Sequence, residues 1–411
     1  MAEPARAAEQ TQPQALSQRL HNLNEMVNRL GLAGKLGQQY GGDRDLYKVF
    51  GYPTELRFDD FATQYERQDI ARAVIDRPVN ATWRGGLSLV ETADHSDTPL
   101  EAEFKRLFDR LSLSSKFPRL DRLTGLGRYG VLLLGIDDVR NEQDFQNPVD
   151  TRRKRNLLYV KPFTEDSAQI SRWVTDPRDE RYGLPETYTI KISTPGHTAT
   201  ASVQVHHTRV IHVSGDLLEN EAFGTPRLQG VFNRLKDLEK IVGGSAEMFW
   251  RGARPGYQGT VGDDYTMTSE MEGQLQGQID EFEHNLRRVL VNEGVSLQSL
   301  APQVEDPTNH VNVQLQMISA ETGIPMRILI GSERGELASS QDRSSWFEMI
   351  SSRREQYAEP LIVRPFVERG IQFGFLPEPD DASSIRFRWA DLFSLSDKEK
   401  ADIGKSRSEA L

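Results

Sequence analysis

Apolar positions along this chain follow two rhythms, and the switch between them divides it. From Tyr65 to Asn80, Ile70, Ala73 and Val74 fall on one face of a predicted helix, and Gly85 and Gly86 then break it before the strand LSLV at 87–90. Helical patterns from Leu100 to Leu113 and from Phe117 to Leu126 lead into VLLLGI at 131–136, an unbroken apolar run that predicts a buried strand. Between 157 and 213 the period becomes two: YTIKIS at 188–193 and ASVQVHHTRVIHV at 201–213 predict sheet strands. A mixed α+β body over 41–223 follows.

Beyond it the helical period returns. Thr225 and Pro226 open a long helix with Leu228, Val231, Leu235, Leu238, Val242, Ser245 and Phe249 on one stripe, while Arg234, Lys236, Asp237, Glu239 and Lys240 lie largely elsewhere on its surface. Turn signals, a polar helix over Ser269–Val289 and short apolar stretches at 289–291 and 295–297 fill the next segment. Asp306 and Pro307 start another helix, because a carboxylate caps free N–H groups and proline tolerates the first helical position. Val311, Leu315, Ile318 and Thr322 form its face, and Gly323 and Pro325 end it. Ser339 with Asp342 resembles a capping box, and Trp346, Phe347, Ile350, Tyr357 and Leu361 carry a helix to about Gly370, kinked or divided near Pro360 and Pro365. The intervening Gly331, Ser332, Gly335, Ser339 and Ser340, with the charges of Arg334 and Glu336, suit a loop that must move. SIRFRW at 384–389 predicts a strand, Ser396 starts a further helix, and residues 1–40 form a polar arm with a short helical pattern around Leu20, Met26 and Leu30.

This order, with TGIP at 322–325, the turn from Leu329 to Gly331, GELASS, Arg343, LLYVKPF at 157–163, VHHTRVIHVSG at 205–215 and GTPRLQGVFNRL at 224–235, resembles the portal proteins of tailed bacteriophages, in the group sharing its domain name with anti-CBASS Acb1-like proteins. The resemblance covers roughly residues 60–400 and implies an α+β portal fold. Its parts would be an N-terminal arm (1–40), a wing (41–223), stem helices (224–250 and 306–323), a clip (251–305), a tunnel loop (324–340), a tunnel helix (341–370), C-terminal wing strands (371–395) and the start of a crown helix (396–411), the crown being short or absent.

The implied role is non-enzymatic and needs no cofactor. Copies would close into a ring, typically a dodecamer, at the capsid vertex of a virion assembled in the bacterial cytoplasm. Double-stranded DNA would pass through it during packaging and ejection, and its partners would be the terminase large subunit, a head–tail adaptor and the major capsid or scaffolding protein. Leu228, Leu235, Lys236, Lys240, Val311, Leu315 and Ile318 would belong to the stem, and Tyr257, Asp263, Asp264 and Glu270 to the clip. Arg327, Ser332, Arg334, Gly335, Glu336, Ser339, Ser340 and Arg343 would face the DNA, with the three arginines offering forked donors to phosphate or bridging to neighbouring subunits.

Bulk composition narrows the alternatives. No cysteine occurs, so disulfides, thiolate nucleophiles and Cys-based zinc sites are excluded. No apolar run approaches the roughly 20 residues of a membrane span, and no secretory signal is visible, so a soluble, cytoplasmically made chain with no membrane partner is expected. Against 61 acidic residues stand 50 basic ones, a net charge of −11, which suits a wall that DNA slides past or simple solubility better than a grip on nucleic acid. No Walker-type GxxxxGK[ST] is present, so a separate ATPase must drive packaging.

Three motifs could suggest chemistry. Gly125, Gly127 and Gly130 spell GxGxxG, yet the motif follows a helix and precedes a strand, the reverse of a dinucleotide loop. His206-x-Thr208 and His212-x-Ser214 echo a two-histidine phosphoesterase, the alternative function, which would cleave cyclic oligonucleotides. Placed on one strand, the two histidines would lie ~20 Å apart and could not share a phosphate, so histidines hydrogen-bonded within the sheet are expected. The acidic pairs Asp59-Asp60, Asp137-Asp138, Asp263-Asp264 and Asp380-Asp381 adjoin turns or element ends, where caps are ordinary, and no metal site is assigned.

Overall fold

Strand β2 (Gly130–Ile136), the VLLLGI run, is buried at every position and lies between two cores. Leu132, Leu134 and Ile136 point into one with helices α4 (Pro99–Arg110) and α5 (Leu113–Leu126), while Val131 and Leu133 point into the other with Tyr188, Ile190, Val203 and Val205. Side chains alternate across a strand, so burial on both faces demands an apolar residue at each position, which explains the lost alternation. β2 pairs antiparallel with β3 (Leu157–Thr164) on one side and β7 (Val210–Val213) on the other. A second antiparallel sheet runs β4 (Ala168–Trp173), β5 (Pro185–Ile192), β6 (Ala201–His206).

The computed structural model describes residues 26–27, 44–91, 98–192, 201–252, 257–262, 266, 268–283, 286, 295–299, 306–331, 336–379 and 385–392, and the chain divides into two units, 1–63 and 64–411. In the first, α1 (Leu46–Phe50) is capped by Asp45, whose carboxylate accepts the Lys48 N–H at 3.2 Å, and ends at Gly51 with φ +67°. Next come α2 (Phe58–Arg67) and α3 (Asp69–Thr82), which are separate because the Gln68 side chain caps Ala71 N–H. β1 (Leu87–Val90) pairs with β10 (Arg386–Trp389) almost 300 residues later, closing the helical core with the C-terminal strand. Thr98 and Glu101 form a capping box at α4, and α5 already begins at Leu113 rather than at Phe117.

Four expectations require correction. The first long helix, α6, spans Phe232–Gly252, not 225–250, because the backbone before it is tied to the body: Thr225 N–H donates to Gly215 O and Arg227 N–H to Gly125 O, holding Leu228 in a turn. After α8 (Thr308–Thr322) the predicted loop is largely helical, since α9 (Met326–Ile330) occupies its first part, stopped by Gly331 at φ +74°. α10 runs over Glu336–Arg353, so Ser339 is interior rather than a cap; Glu336, Leu337 and Ala338 are good helix formers and extend the helix backwards. Then Arg354–Val363 widens into π-helix before α11 (Arg364–Phe373), the division near Pro360 that its prolines predict, where the wider turn accommodates a residue lacking N–H.

The fourth correction is the strand at 201–213. It breaks at a 3-10 turn, His207–Arg209, so β6 and β7 enter different sheets. Arg209 turns inward there and makes a bidentate pair with Asp138 at 2.7 and 2.8 Å, only 2% exposed, which a continuous strand would not allow. In the segment expected to form the clip, β8 (Tyr257–Val261) pairs with β9 (Val295–Ser299), and α7 spans Ser269–Glu283; of the predicted remainder to Val289 only Leu286 is among the described residues. The arm over 1–40 apart from Met26 and Val27, and the helix from Ser396, lie outside the described residues.

Candidate functional site

Helices α6 and α8 pack as an antiparallel pair, since Gly230 lies against Glu321 at one end while Arg234 reaches Gln314 at 3.4 Å further along. Leu228, Val231, Leu235 and Leu238 are buried on the α6 side, with Leu315 and Ile318 on the α8 side; Val311 is half-buried. The other faces are not covered. Val242, Phe249 and Trp250 on α6 and Val313 and Met317 on α8 are about half exposed or more, Trp250 reaching 71%. Lys236 pairs with Glu239 at 3.1 Å and Lys240 with Asp237 at 3.8 Å, both along α6 itself.

The root of this pair is held by one carboxylate. Asp121 on α5 is wholly buried and accepts hydrogen bonds from Trp83 Nε1 at 2.8 Å, Arg227 Nη2 at 3.1 Å and Arg353 Nη1 at 2.9 Å, and from Arg353 Nη2. It therefore ties three elements together: the end of α3, the turn leading into α6, and the last turn of α10. Burial alone would push the Asp121 carboxyl up, but the Arg353 and Arg227 guanidinium groups and the Arg353 and Trp83 hydrogen bonds outweigh it and hold it below the usual carboxylate range. Next in sequence, Arg354 donates to the carbonyls of Thr82, Arg84 and Ala390 and lies over the Trp389 ring at 5.1 Å. The two arginines anchor α10 to the body just where the π-helix begins. The signal for Asp121 was present in sequence: with Phe117, Leu120 and Thr124 it occupies the buried face of α5, where a polar residue demands a partner.

Of the residues expected to face DNA, Arg327 on α9 pairs with Asp342 on α10 at 3.7 Å, and Arg343 is exposed. Glu336, Ser339 and Ser340 belong to α10, where the backbone alone is described, and Ser332, Arg334 and Gly335 lie outside the described residues. Of the residues expected in a clip, Glu270 sits exposed in the first turn of α7 and Tyr257 opens β8, while Asp263 and Asp264 are outside the described residues.

The motifs that imitate enzymes are structural. Gly125 is inside α5, Gly127 caps it and Gly130 begins β2, the helix-to-strand order expected. Asp60 accepts the Arg57 N–H, Asp137 pairs with Asn156 and Asp138 with Arg209; Asp263-Asp264 and Asp380-Asp381 lie outside the described residues. His206 bonds Thr208 Oγ1 at 3.0 Å. His212 stacks on Tyr129 with centroids 4.7 Å apart, and its Nε2 is 2.8 Å from Ala222 O. A carbonyl can only accept, so Nε2 carries the proton and Nδ1 accepts from Tyr188 Oη at 3.1 Å. Burial above all holds His212 down to about 4 and His207 to about 3. The neutral rings are favoured in the folded state, so stability contributed by them is complete above the ordinary histidine value of 6.5 and falls as pH drops from there toward 4. The melting temperature should decline across that interval, and less steeply in His212→Asn; parallel profiles would contradict it.

A mixed α+β body, a packed helix pair and a long helix anchored by buried arginines define a structural scaffold. The model of the family described as phage portal protein matches residues 60–411, and the chain belongs to that family, whose members are structural rather than enzymatic. It is 23% identical over 375 residues to the anti-CBASS protein Acb1 of Sphingomonas paeninsulae, an alignment covering 84% of this chain and 55% of that protein, so the chain spans about half the length of the curated relative it matches. Among solved structures it resembles the neck of a native GTA particle computed with C12 symmetry, with a TM-score of 0.53, 14% identity, and 88% and 92% of the two chains covered. The neck of an empty GTA particle computed with C6 symmetry is similar, with a TM-score of 0.52, 14% identity, and 85% and 89% covered. These likenesses establish the portal-type fold.

Proposed function

We propose that the chain is the repeated subunit of a portal ring through which double-stranded DNA enters a phage head and later leaves it. One observation carries this beyond family membership: α6 and α8 bury one seam against each other yet expose Val242, Phe249, Trp250, Val313 and Met317, more apolar surface than a solitary helix pair would leave in water. Two different patches on one subunit form a heterologous contact, which makes a closed ring when its rotation divides the full turn evenly and an open filament otherwise. The twelvefold symmetry of the similar neck particle supports a dodecamer.

In this reading α6 and α8 are stem, residues 251–305 the clip that meets the terminase large subunit and then a head–tail adaptor, 41–223 the wing that contacts capsid or scaffold, and α10 the tunnel helix. Its leading turn and residues 331–335 approach the DNA, with Arg334 and Arg343 as phosphate contacts; Arg327 has its carboxylate partner already. The ring sits at the capsid vertex after synthesis in the host cytoplasm.

Electron micrographs of purified assemblies viewed down the axis should show rings with a central bore. Removing Ser332–Gly335, which leaves α10 whole, should preserve those rings and strongly reduce DNA-filled heads. Isolated globules at every concentration would refute the ring, and normal filling by the deletion variant would refute the loop assignment.

A further inference from the structure

Arg227 and Tyr357 border a cavity of about 620 Å³ at the stem root, whose mouth carries Asp216 and Glu321. Two buried polar atoms in its wall have no protein partner at hydrogen-bond distance, Arg227 Nη1 and Tyr357 Oη. The neighbouring Thr124 hydroxyl donates to Leu120 O at 3.0 Å and keeps lone pairs that can accept from Tyr357 Oη, so the unmet demand rests chiefly on Arg227 Nη1. Charge is unbalanced as well. Arg227 and Arg353 share the single buried carboxylate of Asp121, and Arg353 takes the larger part of it with two hydrogen bonds to the one made by Arg227. Both guanidinium groups lie over the Tyr357 ring, Arg353 at 4.6 Å and Arg227 at 5.8 Å, and Arg227 is among the residues lining the cavity. Burial, then repulsion from Arg353, lowers Arg227 from its ordinary value although Asp121, Tyr357 and Asp216 act the other way. Asp216 and Glu321 are exposed, and water screens them.

We propose that this cavity binds one small oxyanion, held by Arg227 Nη1 and Tyr357 Oη, which supplies the second negative charge that the junction of stem and long helix lacks. The ligand class is phosphate, sulfate or carboxylate, and the source is either the free ion or an acidic side chain of an adjoining copy. A cavity of this size far exceeds the ~30 Å³ of a single water and accommodates either. The site rests on contacts within one chain, so its failure would leave the ring proposal untouched.

The test is calorimetric titration of the full-length protein with inorganic phosphate, at ionic strength held constant with sodium chloride, together with the melting temperature at each point. One phosphate should bind per chain, with a saturable rise in melting temperature. Tyr357→Phe keeps the ring between the guanidinium groups and should weaken binding about tenfold, the usual effect of losing one hydrogen bond to a charged group. Arg227→Gln should abolish it, and Arg153→Gln, on an exposed loop, should change nothing. Binding that persists in assembled rings identifies the free ion, whereas binding by dissociated subunits that disappears on assembly identifies a neighbour's carboxylate. A response no greater than that to chloride, or identical titrations of Tyr357→Phe and the parent, would mean that water fills the cavity and would overturn the proposal.

Discussion

Asp121→Asn should cost the fold about 3–5 kcal/mol, the range observed when one member of a buried ionic cluster is removed. Asparagine preserves the volume and can still accept from Trp83, so little of the loss comes from packing. What disappears is the charge: Arg353, 12% exposed, and Arg227, 18% exposed, would face each other across a neutral amide, with no other buried carboxylate paired to them among the described residues. Unfolding in denaturant gives the magnitude, and amide exchange gives the location, which should be the end of α10 and the turn before α6. The pair of Asp76 with Arg122 is the control; at 25% and 30% exposure it is partly solvated, and Asp76→Asn should cost about 1 kcal/mol or less. A loss of similar size in both variants would show that Asp121 is not the joint described.

Introducing charge on the uncovered faces of the helix pair should abolish assembly without unfolding the subunit. Trp250→Glu combined with Met317→Glu replaces side chains that are 71% and 55% exposed in the single chain, so the monomer loses almost no burial. In a ring each would be covered, and forfeiting a buried large apolar side chain costs about 1.5–3 kcal/mol per contact, repeated at every interface, before the penalty of burying a carboxylate is added. Sedimentation or native mass measurement should find subunits where the parent forms rings, with unchanged circular dichroism. Leu218→Glu, at a 92% exposed position on neither helix, should assemble normally. Rings formed by the double variant at the parent's concentration would refute this role for the two faces.

Elements whose structure depends on neighbours in sequence were legible from it. The α8 boundaries follow from Asp306, Pro307 and Gly323, and the buried character of β2 follows from its seven apolar positions. The order of body, helix pair and long helix could be read because amphipathic periods and glycine or proline stops are local properties, and the family could be recognised through the resemblance of its short motifs. Two of the failures have a non-local cause and the third a local one. Pro226 reads as a helix start, but backbone bonds to Gly125 and Gly215, distant in sequence, keep that segment in a turn. Residues 201–213 alternate throughout, yet Arg209 leaves the strand to meet Asp138, 71 residues away. The serines of 339–340 suggest a loop, whereas the residues before them extend a helix.

From the amino-acid order alone came the α+β class, the helix pair with its apolar stripes, and the family to which the chain belongs, since these depend on periodicity and on short motifs in sequence. Tertiary structure decided the joint at Asp121, the inward Arg209, the π-helix at Pro360 and the cavity beside Tyr357. Each depends on where a charged or polar group finds its partner once water is excluded, and in most of these the partner lies far along the chain, in Asp121's case 106 and 232 residues away, where no local pattern can announce it.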